Sequence, residues 1–244
     1  MKLEDYFSLH DGIVSFTEQQ ASNFAKGIAG DFNPLHDPGN RRFCVPGDLL
    51  FCILLRQYGV AQNTTVQFAG MLDGKTQMHL PATASNAMTV RDSRERELLT
   101  LLREGDVCTN AVFVSALSQA YVTFSGHTFP DILVPLMRDA AVMINPGRPM
   151  VIYKDMSIEL NEAVDNLSGS ELTLNLGDTD ISVNGRKALV RLTFAILENG
   201  NPIGKGEKNM VLSGLREFDE AAMHTVVEQY NQWRSVYQAV ADEV

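Results

Sequence analysis

Phe24-Ala-Lys-Gly-Ile-Ala-Gly-Asp-Phe-Asn-Pro-Leu-His36 places a carboxylate, Asp31, and an imidazole, His36, on one turn-rich segment. Gly30 and the Asn33-Pro34 pair take the backbone out of a helix there. Glycine admits left-handed φ, and a residue before proline is pushed to extended values. Shortly after, Val45-Pro-Gly-Asp48 opens the apolar run Leu49-Leu-Phe-Cys-Ile-Leu-Leu55, long enough for a buried helix. An acid and a base on a loop, followed by a glycine at a helix start, can activate a water beside a carbonyl oxyanion.

The surrounding chain reads as two halves, each with a helix and several strands. In the first, a strand is expected near Gly12 to Phe16. Thr17 then caps a helix running to about Lys26, with Gln20 completing a capping box. The apolar helix follows from about Gly47 to Tyr58, then strands at Thr64–Met71, Ala87–Asp92, Glu97–Arg103 and Val107–Leu117. Glu104-Gly105-Asp106 is expected as a tight turn between the last two. In the second half, Tyr121–Ser125 reads as a strand and Gly126–Pro130 as a turn. A helix is expected from Pro130 to about Met143, stopped by Asn145-Pro-Gly147. Strands follow at Met150–Leu160, Glu171–Val183, Lys187–Leu197 and Ile203–Leu212. Their connections include Asn184-Gly185 and Asn199-Gly200, the strongest short hairpin signals. Alternation is clear in the third of these strands: Val190, Leu192, Phe194 and Ile196 share one face, while Arg191 and Thr193 take the other. From Glu217, Val226, Tyr230, Trp233, Tyr237 and Val240 recur at helical spacing, so an amphipathic helix should dock on a sheet or a partner. The pattern is that of an α+β protein with two apolar helices, each wrapped by an antiparallel meander.

Bulk properties narrow the classes. A net charge of -10 favours solubility and argues against a nucleic-acid or anionic-membrane surface. No run approaches the roughly 18 apolar residues that span a bilayer. Met1-Lys-Leu-Glu-Asp-Tyr6 carries acidic residues and no long apolar core, unlike a signal peptide. Cys44, Cys52 and Cys108 are odd in number and lack Cys-x-x-Cys spacing, which indicates neither a disulfide framework nor a metal site. A reducing cytoplasm is the expected compartment.

Gly30-Asp-Phe-Asn-Pro-Leu-His36 resembles the signature of the MaoC-like, (R)-specific enoyl-CoA hydratase family (hydratase 2). The resemblance implies the hot-dog fold, in which antiparallel sheet wraps a long central helix. The chain would then be a double hot-dog, with residues 1–118 and 119–215 as its units and 216–244 as an added helix. It implies hydration of a trans-2-enoyl thioester, of CoA or a carrier protein, to the (R)-3-hydroxyacyl thioester, a lyase reaction of fatty acid metabolism without a cofactor. Asp31 and His36 match the pair that holds and activates the catalytic water, and the Gly47 N–H matches the oxyanion donor. Asn33 matches a position that shapes the loop and substrate site. On this reading His36 takes a proton from water, and Asp31 returns one to the α-carbon, given burial that raises its pKa. The second half has Ser125-Gly-His-Thr-Phe-Pro130 at the corresponding place and is expected to be non-catalytic. Self-association as a homodimer is also expected. Pro46 and Asp48, flanking Gly47, depart from the family pattern. They leave two alternatives: a catalytically silent acyl-thioester-binding or regulatory protein, and a hot-dog thioesterase.

Overall fold

The structure is a computed structural model that describes residues 1–242, with side chains as far as Ala239. Two short strands, β1 (Ser8–His10) and β2 (Ile13–Ser15), precede α1 (Glu18–Phe24). Thr17 caps α1 through the capping box with Gln20 that the sequence suggested. The helix then widens into a π turn, Ala25–Ala29, and stops at Gly30. Helix α2 (Gly47–Tyr58) is the apolar run, buried along nearly its whole length. Four strands follow: β3 (Val60–Phe68), β4 (Met78–His79), β5 (Ala87–Arg91) and β6 (Glu97–Cys108). Next come α3 (Ala111–Gly126), α4 (Leu133–Asp139) and the short β7 (Val142–Met143). The meander β8 (Val151–Leu160), β9 (Leu172–Asn184), β10 (Lys187–Glu198) and β11 (Asn201–Ser213) completes the second half. Finally β12 (Arg216–Glu217) pairs with β7, and α5 (Glu220–Asp242) ends the described chain.

Ten strands form one antiparallel sheet in the order β1-β2-β4-β5-β6-β3-β8-β11-β10-β9. On one side of the centre, β3-β6-β5-β4 places the strand after the helix beside the last strand. On the other side, β8-β11-β10-β9 repeats that order. The halves meet where β3 pairs with β8, from Asn63↔Glu159 to Gln67↔Asp155. This repeated order, with α2 and α3 lying against each other and the sheet, is the double hot-dog arrangement, an α+β fold with an added C-terminal helix. The ring centroids of Phe51 on α2 and Tyr121 on α3 are 4.7 Å apart, tying the two helices into one core. A second apolar cluster lies under α4 and α5, with Met137 and Met223 against Val190, Leu192 and Met210. The inward residues of β10 fall as the alternation predicts, with Val190, Leu192, Phe194 and Ile196 all buried.

Three expectations require correction. Of the strand expected at Val107–Leu117, only Val107 and Cys108 are strand, as the end of β6. The rest from Ala111, with the strand expected at Tyr121–Ser125, is the long helix α3, capped by Asn110, whose side chain accepts from the Val112 N–H. The expected boundary at 118/119 therefore falls inside a helix. The helix expected from Pro130 to Met143 is only α4, preceded by a π turn and followed by β7. Glu104-Gly105-Asp106 is not a turn between strands. It is an irregularity within the single strand β6, where the pairing with β3 shifts register opposite Ala61/Asn63. No helix among the described residues is long and apolar enough to cross a membrane.

Candidate active site

Gly30 ends the π turn at φ 66, a left-handed value that a side chain would strain. The chain reverses there, and the Asp31 N–H returns to the Ala25 carbonyl at 2.8 Å. Asp31 Oδ1 then accepts from the Asn33 N–H at 2.9 Å, and Asn33 Oδ1 accepts from the Leu35 N–H at 3.1 Å. These two linked turns convert the Asp-Phe-Asn-Pro-Leu-His segment into a rigid hook ending in the 3-10 turn Pro34–His36. From outside, Tyr230 of α5 clamps the hook. Its hydroxyl accepts from the Phe32 N–H at 3.1 Å and donates to the Gly30 carbonyl at 3.2 Å. Phe32 packs edge-on between Tyr230 and Tyr237.

The hook brings His36 Nε2 to 3.5 Å from Asp31 Oδ2. His36 Nδ1 lies 2.7 Å from the Cys44 carbonyl, which can only accept. The neutral ring therefore carries its proton on Nδ1 and presents a lone pair at Nε2 beside the carboxylate. Burial alone would lower the pKa of His36, but Asp31 and the Cys44 carbonyl outweigh it, and the pKa is raised. For Asp31, burial would raise the pKa. The hydrogen bond and charge of His36, the Asn33 N–H and the charge of Lys208 outweigh that, and the pKa is lowered. The expectation that burial raises the Asp31 pKa is thus overturned, because the neighbouring imidazole and backbone favour the carboxylate. Burial pushes the nearby Cys44 thiol up to about 11, which keeps it protonated at neutral pH.

Asp31, Asn33, His36 and Gly47 all line one cavity of about 350 Å³. Gly47 opens α2 with Pro46 before it and no side-chain cap. The Leu49 N–H already donates to the Pro46 carbonyl, so the Gly47 and Asp48 N–H groups are the ones without a helical acceptor. The Gly47 Cα is covered by the Tyr153 ring so closely that a Cβ would overlap the ring. Much of the remaining wall is apolar, including Leu50, Phe68, Leu133, Met210 and Trp233. His127 stands elsewhere, exposed and 3.5 Å from Asp131, on a separate open groove.

Three residues of the second half, which was expected to be non-catalytic, also reach this site. Ser125, at the end of α3, and Tyr153, on β8, line the cavity. Lys208, on β11, lies behind them at 0% exposure, over the Tyr153 ring. Lys208 Nζ donates to the Ser125 hydroxyl and to Tyr153 OH, and both hydroxyls donate to Asp48 Oδ2. Burial pulls the Lys208 pKa down, opposed by the charges of Asp48 and Asp31. One signal of Lys208 was present in the sequence. It shares strand parity with Gly206, Met210 and Leu212, the inward set of β11, where a lysine is out of place. Tyr153 carried none, and Ser125 stood only as the first residue of the segment Ser125–Pro130 that was expected to be non-catalytic.

Residues 1–221 match the family described as Protein of unknown function (DUF3581). The chain belongs to that family. No curated protein matches it. Among solved structures it is similar to a conserved protein of unknown function with hot dog fold from Alicyclobacillus acidocaldarius, at 9% identity over 87% of this chain and 98% of that one, TM-score 0.49. It is also similar to a MaoC-like dehydratase (10% identity, 86% and 99% covered, TM-score 0.41). A third is an acyl-CoA thioesterase II from Mycobacterium marinum (9% identity, 90% and 98% covered, TM-score 0.38). The fold assignment rests on the repeated strand order rather than on these likenesses.

Proposed function

We propose that the chain is an enzyme that hydrates a trans-2-enoyl thioester of CoA or a carrier protein to the 3-hydroxyacyl thioester. The observation that carries this is the Asp31–His36 pair, 3.5 Å apart, with the imidazole proton fixed on the Cys44 side and both groups on an apolar cavity. Nε2 takes a proton from a water that Asp31 orients, and the resulting hydroxyl adds to C3. Negative charge moves to the thioester oxygen, where the Gly47 N–H and the dipole of α2 stabilise it. With Asp31 held as a carboxylate, the imidazolium of His36, rather than Asp31, returns the proton to C2. Asn33 acts by holding the hook.

The silent-binding alternative drew on Asp48, whose charge beside Gly47 would oppose an oxyanion. The buried Lys208 ammonium, sharing the Ser125 and Tyr153 hydroxyls with Asp48, offsets that charge and favours turnover. The test is loss of the conjugated absorbance of crotonyl-CoA and longer trans-2-enoyl-CoA esters. Asp31→Asn and His36→Ala should each slow hydration by about 10²–10⁴-fold, the usual worth of a general acid or base. Unchanged rates in both variants would sink the assignment.

The expected homodimer belongs to the same proposal. The outer edge strand, β9, exposes Leu176 (46%) and Val183 (41%), a surface that a second copy can cover. Sedimentation velocity showing a monomer at micromolar concentration would remove it.

A further inference from the structure

The hydration proposed above assigns no proton transfer or bond-forming step to the four polar side chains behind Gly47. Asp48, Ser125 and Lys208 are 2%, 4% and 0% exposed. They converge from α2, α3 and β11, three separate elements. Ser125 Oγ donates to Asp48 Oδ2 at 2.6 Å and receives a hydrogen bond from Lys208 Nζ. Tyr153 OH accepts from Lys208 at 2.8 Å and donates to the same carboxylate oxygen at 3.1 Å. Asp48 Oδ1 is buried without a hydrogen-bond donor and lies 4.0 Å from Lys208 Nζ as its countercharge. Mutual neutralisation accounts for a buried lysine near a buried aspartate. It does not account for a serine held between them at the cavity wall. A hydroxyl whose proton lies on a carboxylate and whose oxygen accepts from an amine is polarised toward the alkoxide.

We propose that Ser125 is a nucleophile toward acyl thioesters, with Asp48 as its base and Lys208 steadying the charge on its oxygen. The Ser125 proton passes to Asp48 while Oγ bonds to the thioester carbonyl carbon. The C–S bond then breaks, and the thiolate leaves with that proton as free thiol. Water hydrolyses the acyl-serine ester, giving the carboxylic acid and restoring the hydroxyl. The sum is thioester plus water to acid plus thiol, with no change of oxidation state. The Gly47 N–H at the start of α2 serves as oxyanion donor, as in hydration. This inference stands apart from the hydratase reading, because a saturated thioester has no double bond to hydrate and isolates the serine chemistry.

The experiment incubates the full chain with octanoyl-CoA, follows free thiol, and acid-quenches samples during turnover for peptide mass mapping. The expected result is thiol release, an octanoyl adduct on the peptide bearing Ser125, and release slowed by about 10³-fold or more in Ser125→Ala. Ser125→Cys, nearly the same size, should trap the acyl group as a thioester adduct at that position. Absence of thiol release, or release at an unchanged rate in Ser125→Ala, overturns the proposal. So does turnover by the unaltered chain with the adduct elsewhere, for instance on Cys44, or with no adduct. Mapping on the unaltered chain decides the matter even where Ser125→Ala does not fold.

Discussion

At the scale of single residues, the Asp31–His36 pair predicts its own pH dependence. His36 must be neutral to accept a proton, so the hydration rate should rise as pH passes upward through its folded pKa. Burial pulls that pKa down, yet Asp31 and the Cys44 carbonyl lift it above the ordinary 6.5, and the acid limb should lie above that value. Asp31→Asn removes the largest lifting partner, so the limb should move to lower pH in the residual activity. A pH–rate profile of both forms checks it, and an unmoved limb would mean that His36 is not the titrating base. The buried Lys208 makes a second prediction. Lys208→Met leaves two hydroxyls without their donor and Asp48 without its countercharge, which should cost about 3–5 kcal/mol in urea unfolding. Adding Asp48→Asn should recover part of that loss, because the uncompensated charge is then gone; strict additivity of the two changes would show that they do not share a network. These residues also show why the site was only half legible. Asp31, Asn33 and His36 lie in one heptapeptide and signal each other locally. Ser125 and Tyr153 meet Asp48 across 77 and 105 residues of chain, a proximity that only the folded sheet creates.

Among the elements, legibility followed the contrast between buried and exposed faces. The strand β10 alternates cleanly because one face is wet, and α2 is announced by its proline and glycine entry and unbroken apolar run. Helix α3 lacks both advantages. Phe113, Leu117, Tyr121 and Phe124 are buried among α2 and the sheet, and the segment carries three Val and two Phe with a Tyr and a Thr, so propensity favoured strands. Burial of several sides and the Asn110 cap outweighed that propensity. Helix α5 was read correctly as amphipathic through Tyr237, the stripe's last position, Val240, lying outside the described side chains. Its apolar face packs on the hook and the cavity wall. The family match ends at residue 221, at the start of this helix (Glu220–Asp242). Tyr230→Phe keeps the ring but removes the hydroxyl that serves both Phe32 and Gly30. Leaving these backbone groups short of a partner should cost about 1–3 kcal/mol. Amide exchange at Phe32 should also quicken, and unchanged protection there would mean that the ring, not the hydroxyl, holds the hook.

For the molecule as a whole, the sheet does not break where the repeat does. The central pair β3–β8 continues the hydrogen bonding from one half to the other. Thr64 and Val66 on β3, and Met156 and Ile158 on β8, are all buried at that seam. Above it, Phe51 and Tyr121 join the helices of the two halves, and Tyr121 also meets Phe194 of the second meander at 5.9 Å. Neither half keeps its core if the other unfolds, so heat or urea should unfold the chain in one cooperative transition, with calorimetric and van't Hoff enthalpies equal. Phe51→Ala tests the coupling directly, because the ring is fully buried between both units. Its loss should cost about 3–5 kcal/mol. That should lower the midpoint of a transition that stays single, whereas splitting into two steps would show that each half carries a self-sufficient core.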